Sequence, residues 1–134
     1  PLLLLAESGG ARVLPIFING TEGYSIRLRL SGNHFNRPLT HDLLDQVVDR
    51  LGAKVLRAQV DRITGGVYHA TLILSRGNEI LTFDARPSDA IAIALGHGAP
   101  IFASESVLEA AGHDPHQLIP APHAPGSHGH PVSL

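Results

Sequence analysis

The chain has 134 residues, enough for one domain around a single core. Its formal charge is −2, which excludes a protein that grips a nucleic-acid backbone through a broad basic surface, and aromatics at 4% leave an aliphatic core with little material for stacking bases. There is no Cys, so disulfides, thiolate metal sites and a Cys nucleophile are excluded.

Leu2–Leu5 and Arg12–Ile18 are apolar, β-prone runs, and the linker Glu7-Ser8-Gly9-Gly10 predicts a hairpin between them. The first run is far too short to span a bilayer and lacks the charged flank and cleavage pattern of a signal peptide. A cytoplasmic protein with no membrane partner is expected. The chain opens on Pro1 and contains no Met, so a trimmed N-terminus is also expected. Thr21–Ser31 reads two ways: Tyr24, Ile26, Leu28 and Leu30 alternate as in a strand, while Thr21 as cap, Glu22 in a first turn and Gly32 as stop suit a helix. The period alone favours a strand. Thr40–Leu51 is the clearest helix, with Thr40 as N-cap, Asp42 in the first turn and Gly52 at the stop. Its apolar stripe, Leu43, Leu44, Val47, Val48 and Leu51, is expected to pack on the sheet.

Val55–Arg62, Val67–Leu74 and Ile80–Phe83 then read as an antiparallel meander with turns at Gly65-Gly66 and Gly77-Asn78. Pro87–Leu95 predicts a short buried helix, Pro100–Ala103 a short strand, and Ser104 opens a last helix ending near Gly112. From His113 onward His and Pro accumulate without apolar period, as in a flexible tail. The pattern is an α+β domain over residues 1–112, followed by a Pro/His-rich tail over 113–134. The domain combines a mostly antiparallel or mixed sheet, an N-terminal hairpin and a three-strand meander with three to four short helices.

Two short segments share a grammar: Arg37-Pro38-Leu39-Thr40-His41-Asp42 and Asp84-Ala85-Arg86-Pro87-Ser88-Asp89. Each has Arg before Pro, then a hydroxyl residue and an acid at a helix start. Pro forces the preceding Arg into extended backbone, so its side chain can reach beside the helix end. That end presents free N–H groups and partial positive charge, a ready phosphate site. Arg37, Thr40, Arg86 and Ser88 are the candidate substrate-binding residues, and His41, Arg37, Arg86 and Asp42 the candidate catalytic ones. Histidine is the usual side chain for acid–base work near neutral pH, which makes His41 the candidate for it. Asp84, Asp89 and Glu22 are the candidate ligands for Mg²⁺ or Mn²⁺, hard cations that prefer oxygen. The structural reading of the same residues is plain: Thr, Ser and Asp are ordinary caps, and the arginines are ordinary partners for Asp84 or Asp89. No zinc-protease-like helix motif is present. The tail histidines, His113, His116, His123, His128 and His130, are too irregularly spaced for a defined metal site.

The residues Leu14-Pro15-Ile16-Phe17-Ile18, the two Arg-Pro segments with Leu43-Leu44 and Ala90-Ile91-Ala92 after them, and Ala99-Pro100-Ile101-Phe102 stand in the order found in the bifunctional nuclease family. The chain resembles that family from about Leu2 to Gly112. The resemblance implies cleavage of both DNA and RNA, and a wedge-shaped homodimer with a groove where the active site is expected. It also implies a helix, not a strand, over Thr21–Leu30, with Glu22 at the family's acid position. The departures are Gly23 and Tyr24 in that helix, His69 in place of an aromatic, and a family strand expected before Pro1. Two functions follow as expectations. One is a low-specificity nuclease hydrolysing phosphodiester bonds, assisted by a divalent metal. The other is a non-catalytic dimeric module binding a small anion or a protein partner through the same groove.

Overall fold

The structure is a computed structural model that describes residues 2–118 and 132–133. Most of the Pro/His-rich stretch, 119–131, lies outside the described residues. The chain runs β1 (Leu2–Ala6), β2 (Val13–Phe17), α1 (Gly20–Ser31), α2 (Thr40–Arg50), β3 (Lys54–Thr64), β4 (Val67–Arg76), β5 (Glu79–Ala85), α3 (Pro87–Gly96), β6 (Ile101–Ala103), α4 (Glu105–Ala111), a helical turn α5 (Pro115–Leu118) and β7 (Val132–Ser133). This is the expected α+β class, with its N-terminal hairpin and meander in place.

One sheet has the order β5-β4-β3-β6, with β3, β4 and β5 antiparallel and β6 parallel to β3. The tight turn between β3 and β4 is made by Gly65 and Gly66, both at positive φ, as a two-residue hairpin of matching twist requires. The other sheet pairs β1 with β2 antiparallel, and β7 runs parallel to β1 at Leu5 and Ala6. Val13 and His113 exchange backbone hydrogen bonds, so regular pairing reaches one residue past Gly112.

Helix α3 lies between the layers. Ala90, Ile91, Ala92, Ile93 and Ala94 are all buried, which explains a sequence apolar on every side. They pack with Ala58, Val60, Ala70, Leu72 and Leu74 of the main sheet and with Leu5, Leu14 and Ile16 of the hairpin in one aliphatic core. Thr21–Leu30 is helical, as the resemblance implied and the alternation did not. Asn19 accepts from the Glu22 N–H, and the Glu22 carboxylate accepts from the Asn19 N–H, a reciprocal cap that settles the local competition.

Helix α2 departs from expectation. Its N-cap is Leu39, whose N–H donates to Asp42, rather than Thr40. Of its apolar stripe only Val48 is buried, while Leu43, Leu44, Val47 and Leu51 stay 57%, 44%, 43% and 64% exposed. The physical reason is that α3 already covers the inner face of the sheet, so α2 docks at the flank of α3 and leaves a groove between itself and the strands.

Candidate active site

The two Arg-Pro segments converge. The first sets the start of α2, and the second joins the end of β5 to α3, whose N1 residue is Pro87. His41 Nε2 lies 3.2 Å from an Asp89 carboxylate oxygen, although 48 positions separate them. Arg86 donates from Nε to the other Asp89 oxygen at 3.0 Å and from a terminal nitrogen to Glu22 at 2.5 Å. Ser25 Oγ is 3.1 Å from His41 Nδ1. The result is a chain of polar contacts, Glu22–Arg86–Asp89–His41–Ser25, that crosses three helices.

Sequence spacing explains its third side. Glu22, Ser25 and Arg29 fall at i, i+3 and i+7 on α1 and so share one face. Arg29 anchors that face: it donates to the Ala92 carbonyl at 2.9 Å, to Asp45 at 2.8 Å and to Asp42 at 3.3 Å, with only 7% of its side chain exposed. His97, at the end of α3, adds a 3.0 Å contact to Asp45. Gly96 leaves the room that Arg29 fills, since a Cβ there would collide with the guanidinium. This buried ionic knot holds α2 against α1 and α3, and thereby holds His41 beside Asp89.

The electrostatics follow from the contacts. Burial by itself would raise the Asp89 carboxyl, but hydrogen bonds and charge from Arg86 and His41 outweigh it and keep the carboxyl below its ordinary range. The Asp89 and Glu22 carboxylates in turn fix the Arg86 charge more firmly. Both ring nitrogens of His41 are engaged. When the Ser25 hydroxyl donates to Nδ1, the proton sits on Nε2 and points at Asp89, so the two groups act as a unit.

Two grooves flank Arg86. The larger, about 780 Å³, runs between α2 and strands β4 and β5. Its walls are mainly apolar, with Leu44, Val48, Leu72 and Phe83 among them, and Thr40, His41, Asp84, Arg86 and Asp89 form its polar part. The smaller, about 290 Å³, lies between β2, the β3–β4 turn and the start of α3, and includes Phe17, Glu22 and Ser88. Val67, Tyr68 and Arg86 line both. The Tyr68 hydroxyl donates to the Pro15 carbonyl at 3.1 Å, and burial raises its pKa.

The candidate residues therefore divide. His41, Arg86, Asp89 and Glu22 come together, and Thr40 and Ser88 line the adjoining grooves. Asp42 serves as cap and as partner of Arg29, the structural role its helix-start position offered. Arg37 is exposed and makes no hydrogen bond or ion pair with another described residue. Asp84 lines the larger groove without bonding to Asp89 or Glu22, and among the described residues no three His, Asp or Glu converge as a metal-binding group. Ser25, Arg29 and Tyr68 were not singled out from sequence. The i, i+3, i+7 spacing with Glu22 was the available signal for the first two.

An α+β domain with an acid–base cluster at the junction of two grooves is the class that fold and site define. Residues 3–116 match the family described as "Bifunctional nuclease domain", and the chain belongs to that family. It is 41% identical over 112 residues to an uncharacterized protein of Mycobacterium tuberculosis, covering 84% of this chain and 66% of that protein. It is 32% identical over 103 residues to "Bifunctional nuclease 1" of Arabidopsis thaliana, covering 75% of this chain and 32% of the plant protein. Against "Bifunctional nuclease 2" of Oryza sativa subsp. japonica it is 28% identical over 114 residues, covering 83% and 35%. The chain thus spans just under two thirds of the mycobacterial relative and about a third of the plant proteins. No helix among the described residues is long and apolar enough to cross a membrane.

Proposed function

We propose that the domain hydrolyses phosphodiester bonds of DNA and RNA with low sequence specificity, with the reacting phosphate beside Arg86 at the start of α3. The observation that carries this reading is the 3.2 Å contact of His41 with Asp89, which joins the two Arg-Pro segments in one acid–base unit next to a cation. Membership of the family and the names of the plant relatives support it. Arg86 spends two N–H groups on carboxylates, and the remaining donors of its five are available to a phosphate oxygen. Ser88, lining the smaller groove in the first turn of α3, adds a hydroxyl and a free backbone N–H. The His41–Asp89 pair takes the proton of the attacking water and returns it to the leaving oxygen, with His41 as the group that carries the proton and Asp89 as the carboxylate that orients it. Arg37 and Thr40 extend the substrate contact along α2.

Mg²⁺ or Mn²⁺ belongs to the proposal. Glu22, Asp84 and Asp89 are the hard oxygen donors that would hold it, with waters and phosphate oxygens completing the shell. The three do not converge among the described residues, and the oxygens of Glu22 and Asp89 would first have to leave Asn19, Arg86 and His41. Such an ion supplies charge neutralisation at the phosphate. A homodimer formed through the exposed α2 residues Leu43, Val47 and Leu51 is part of the same reading.

One observation favours a non-catalytic module instead. Arg86 faces two carboxylates, so the cluster carries an excess of negative charge around its one guanidinium. The deciding experiment is a cleavage assay on DNA and RNA, with and without EDTA, for the parent chain and Arg86→Ala, beside their melting temperatures. Loss of cleavage with an unchanged melt is expected. A lowered melt with unchanged specific activity of the folded fraction would refute the catalytic role.

A further inference from the structure

We propose that the two grooves meeting at Arg86 accept unpaired nucleotides, one base on each side of a phosphate held by the guanidinium. The inference rests on the phosphodiester reading above and specifies its substrate: single-stranded stretches rather than duplex.

Three observations carry it. First, the grooves adjoin, with Val67, Tyr68 and Arg86 as lining common to both. A strand crossing Arg86 passes from one into the other. Second, aromatic side chains concentrate there. Phe17 and Tyr68 line the smaller groove and Phe83 and Tyr68 the larger, so half of the chain's four Phe and two Tyr surround one arginine. Phe17 is 84% exposed, well above Phe35 at 48% and Phe102 at 46%, and Phe83 is 49% exposed in the larger groove, so both rings are open to a planar partner. Composition argued against stacking because it counts aromatics without placing them. Third, the charge is wrong for backbone binding. With a net charge of −2 and a single arginine at the junction, little affinity can come from phosphates, so it must come from the bases. Bases in a duplex are stacked and paired and cannot enter lateral grooves, whereas unpaired bases present their faces to aromatic rings. The larger groove, at about 780 Å³, lies within the ~300–1,000 Å³ range typical of ligand pockets.

The test is equilibrium binding by fluorescence anisotropy with three probes of one length: a single-stranded oligonucleotide, the same sequence as a duplex, and an abasic strand that keeps the sugar–phosphate backbone. Cleavage is followed in the same samples. The single strand is expected to bind at least about tenfold tighter than the other two, as stacking energies per base allow. Phe17→Ala and Phe83→Ala should each remove about tenfold from the single strand alone, and Phe83→Trp should restore it. The slope of log affinity against log salt should be about −0.7, a single phosphate's worth on a single strand. Equal binding of the abasic strand, tighter binding of the duplex, or no binding of any probe would overturn the inference. Binding with the expected pattern but without cleavage supports the inference and removes the catalytic reading, so the two fail separately.

Discussion

Replacing Arg29 by Met tests whether the buried ionic knot holds the site together. The Arg29 side chain is 7% exposed, and the substitution keeps much of its aliphatic stem while removing the guanidinium that contacts Asp45, Asp42 and the Ala92 carbonyl. Removing one partner of a buried pair typically costs ~3–5 kcal/mol, because the remaining charge is left without compensation. Here two features reduce that cost. Asp42 and Asp45 keep 28% and 20% exposure, so water can reach them, and each retains a second partner, the Leu39 N–H and His97. The lost hydrogen bond to Ala92 adds about 1 kcal/mol. A net destabilisation of roughly 2–4 kcal/mol is expected. With a urea m-value of ~1–3 kcal/mol/M for small proteins, the midpoint should fall by about 1–2 M without a change in slope. Circular dichroism during urea titration measures it. A loss below about 1 kcal/mol would refute the reasoning, since it would mean that the knot is no more than a set of solvated surface pairs. Where the variant still folds, cleavage should fall more than the folded fraction does, because His41 loses the anchoring of α2.

The remaining predictions concern α2, His41 and pH. Val48→Ala should cost about 1–3 kcal/mol by equilibrium denaturation, because Val48 is the buried member of its stripe. Leu51→Ala should change monomer stability by no more than about 0.5 kcal/mol but weaken self-association in sedimentation equilibrium, and an unchanged dimer would remove the α2 face as the interface. Ser25→Ala should leave the melting temperature nearly unaltered and lower cleavage severalfold by releasing the His41 ring, whereas unchanged kinetics would show that the Ser25 contact does not orient it. Because the Asp89 carboxyl is depressed in the folded state, its stabilising effect is complete above the ordinary Asp value of 3.8 and is lost as pH falls below it toward the folded value. Asp89→Asn should therefore flatten the pH dependence of stability in that acid window, and an unaltered acid limb would contradict the assignment.

The fold was largely legible because most elements carry local signals that agree with their packing. The meander follows from apolar runs interrupted at Gly65-Gly66 and Gly77-Asn78, and α3 from a Pro start with small apolar residues throughout. The first helix was not legible from period, because Tyr24, Ile26, Leu28 and Leu30 alternate as in a strand. What decides the issue is the reciprocal cap of Asn19 and Glu22 and the burial of Arg29, and the second of these needs the other helices to be present. The stripe on α2 looked like core because amphipathicity reports only that a face seeks cover. It does not say whether the same chain supplies it, and here α3 had already taken the sheet.

The site was legible in half for a related reason. Both Arg-Pro segments announced helix starts, and each start offers the same two uses, a cap or a ligand contact. Sequence cannot choose between them because the choice depends on what lies across the gap. For Asp42 the nearest donors are the Leu39 N–H and Arg29, and the carboxylate is absorbed into structure. For Asp89 the neighbours are Arg86 and His41, and the carboxylate stays 41% exposed in the larger groove. The same grammar thus yields a strut in one helix and a partly exposed carboxylate lining a groove in the other. What separates them is the arginine of α1: Arg29 is buried and bonded to Asp42, Asp45 and the Ala92 carbonyl, while Arg86 is 64% exposed and still holds unspent donors toward solvent.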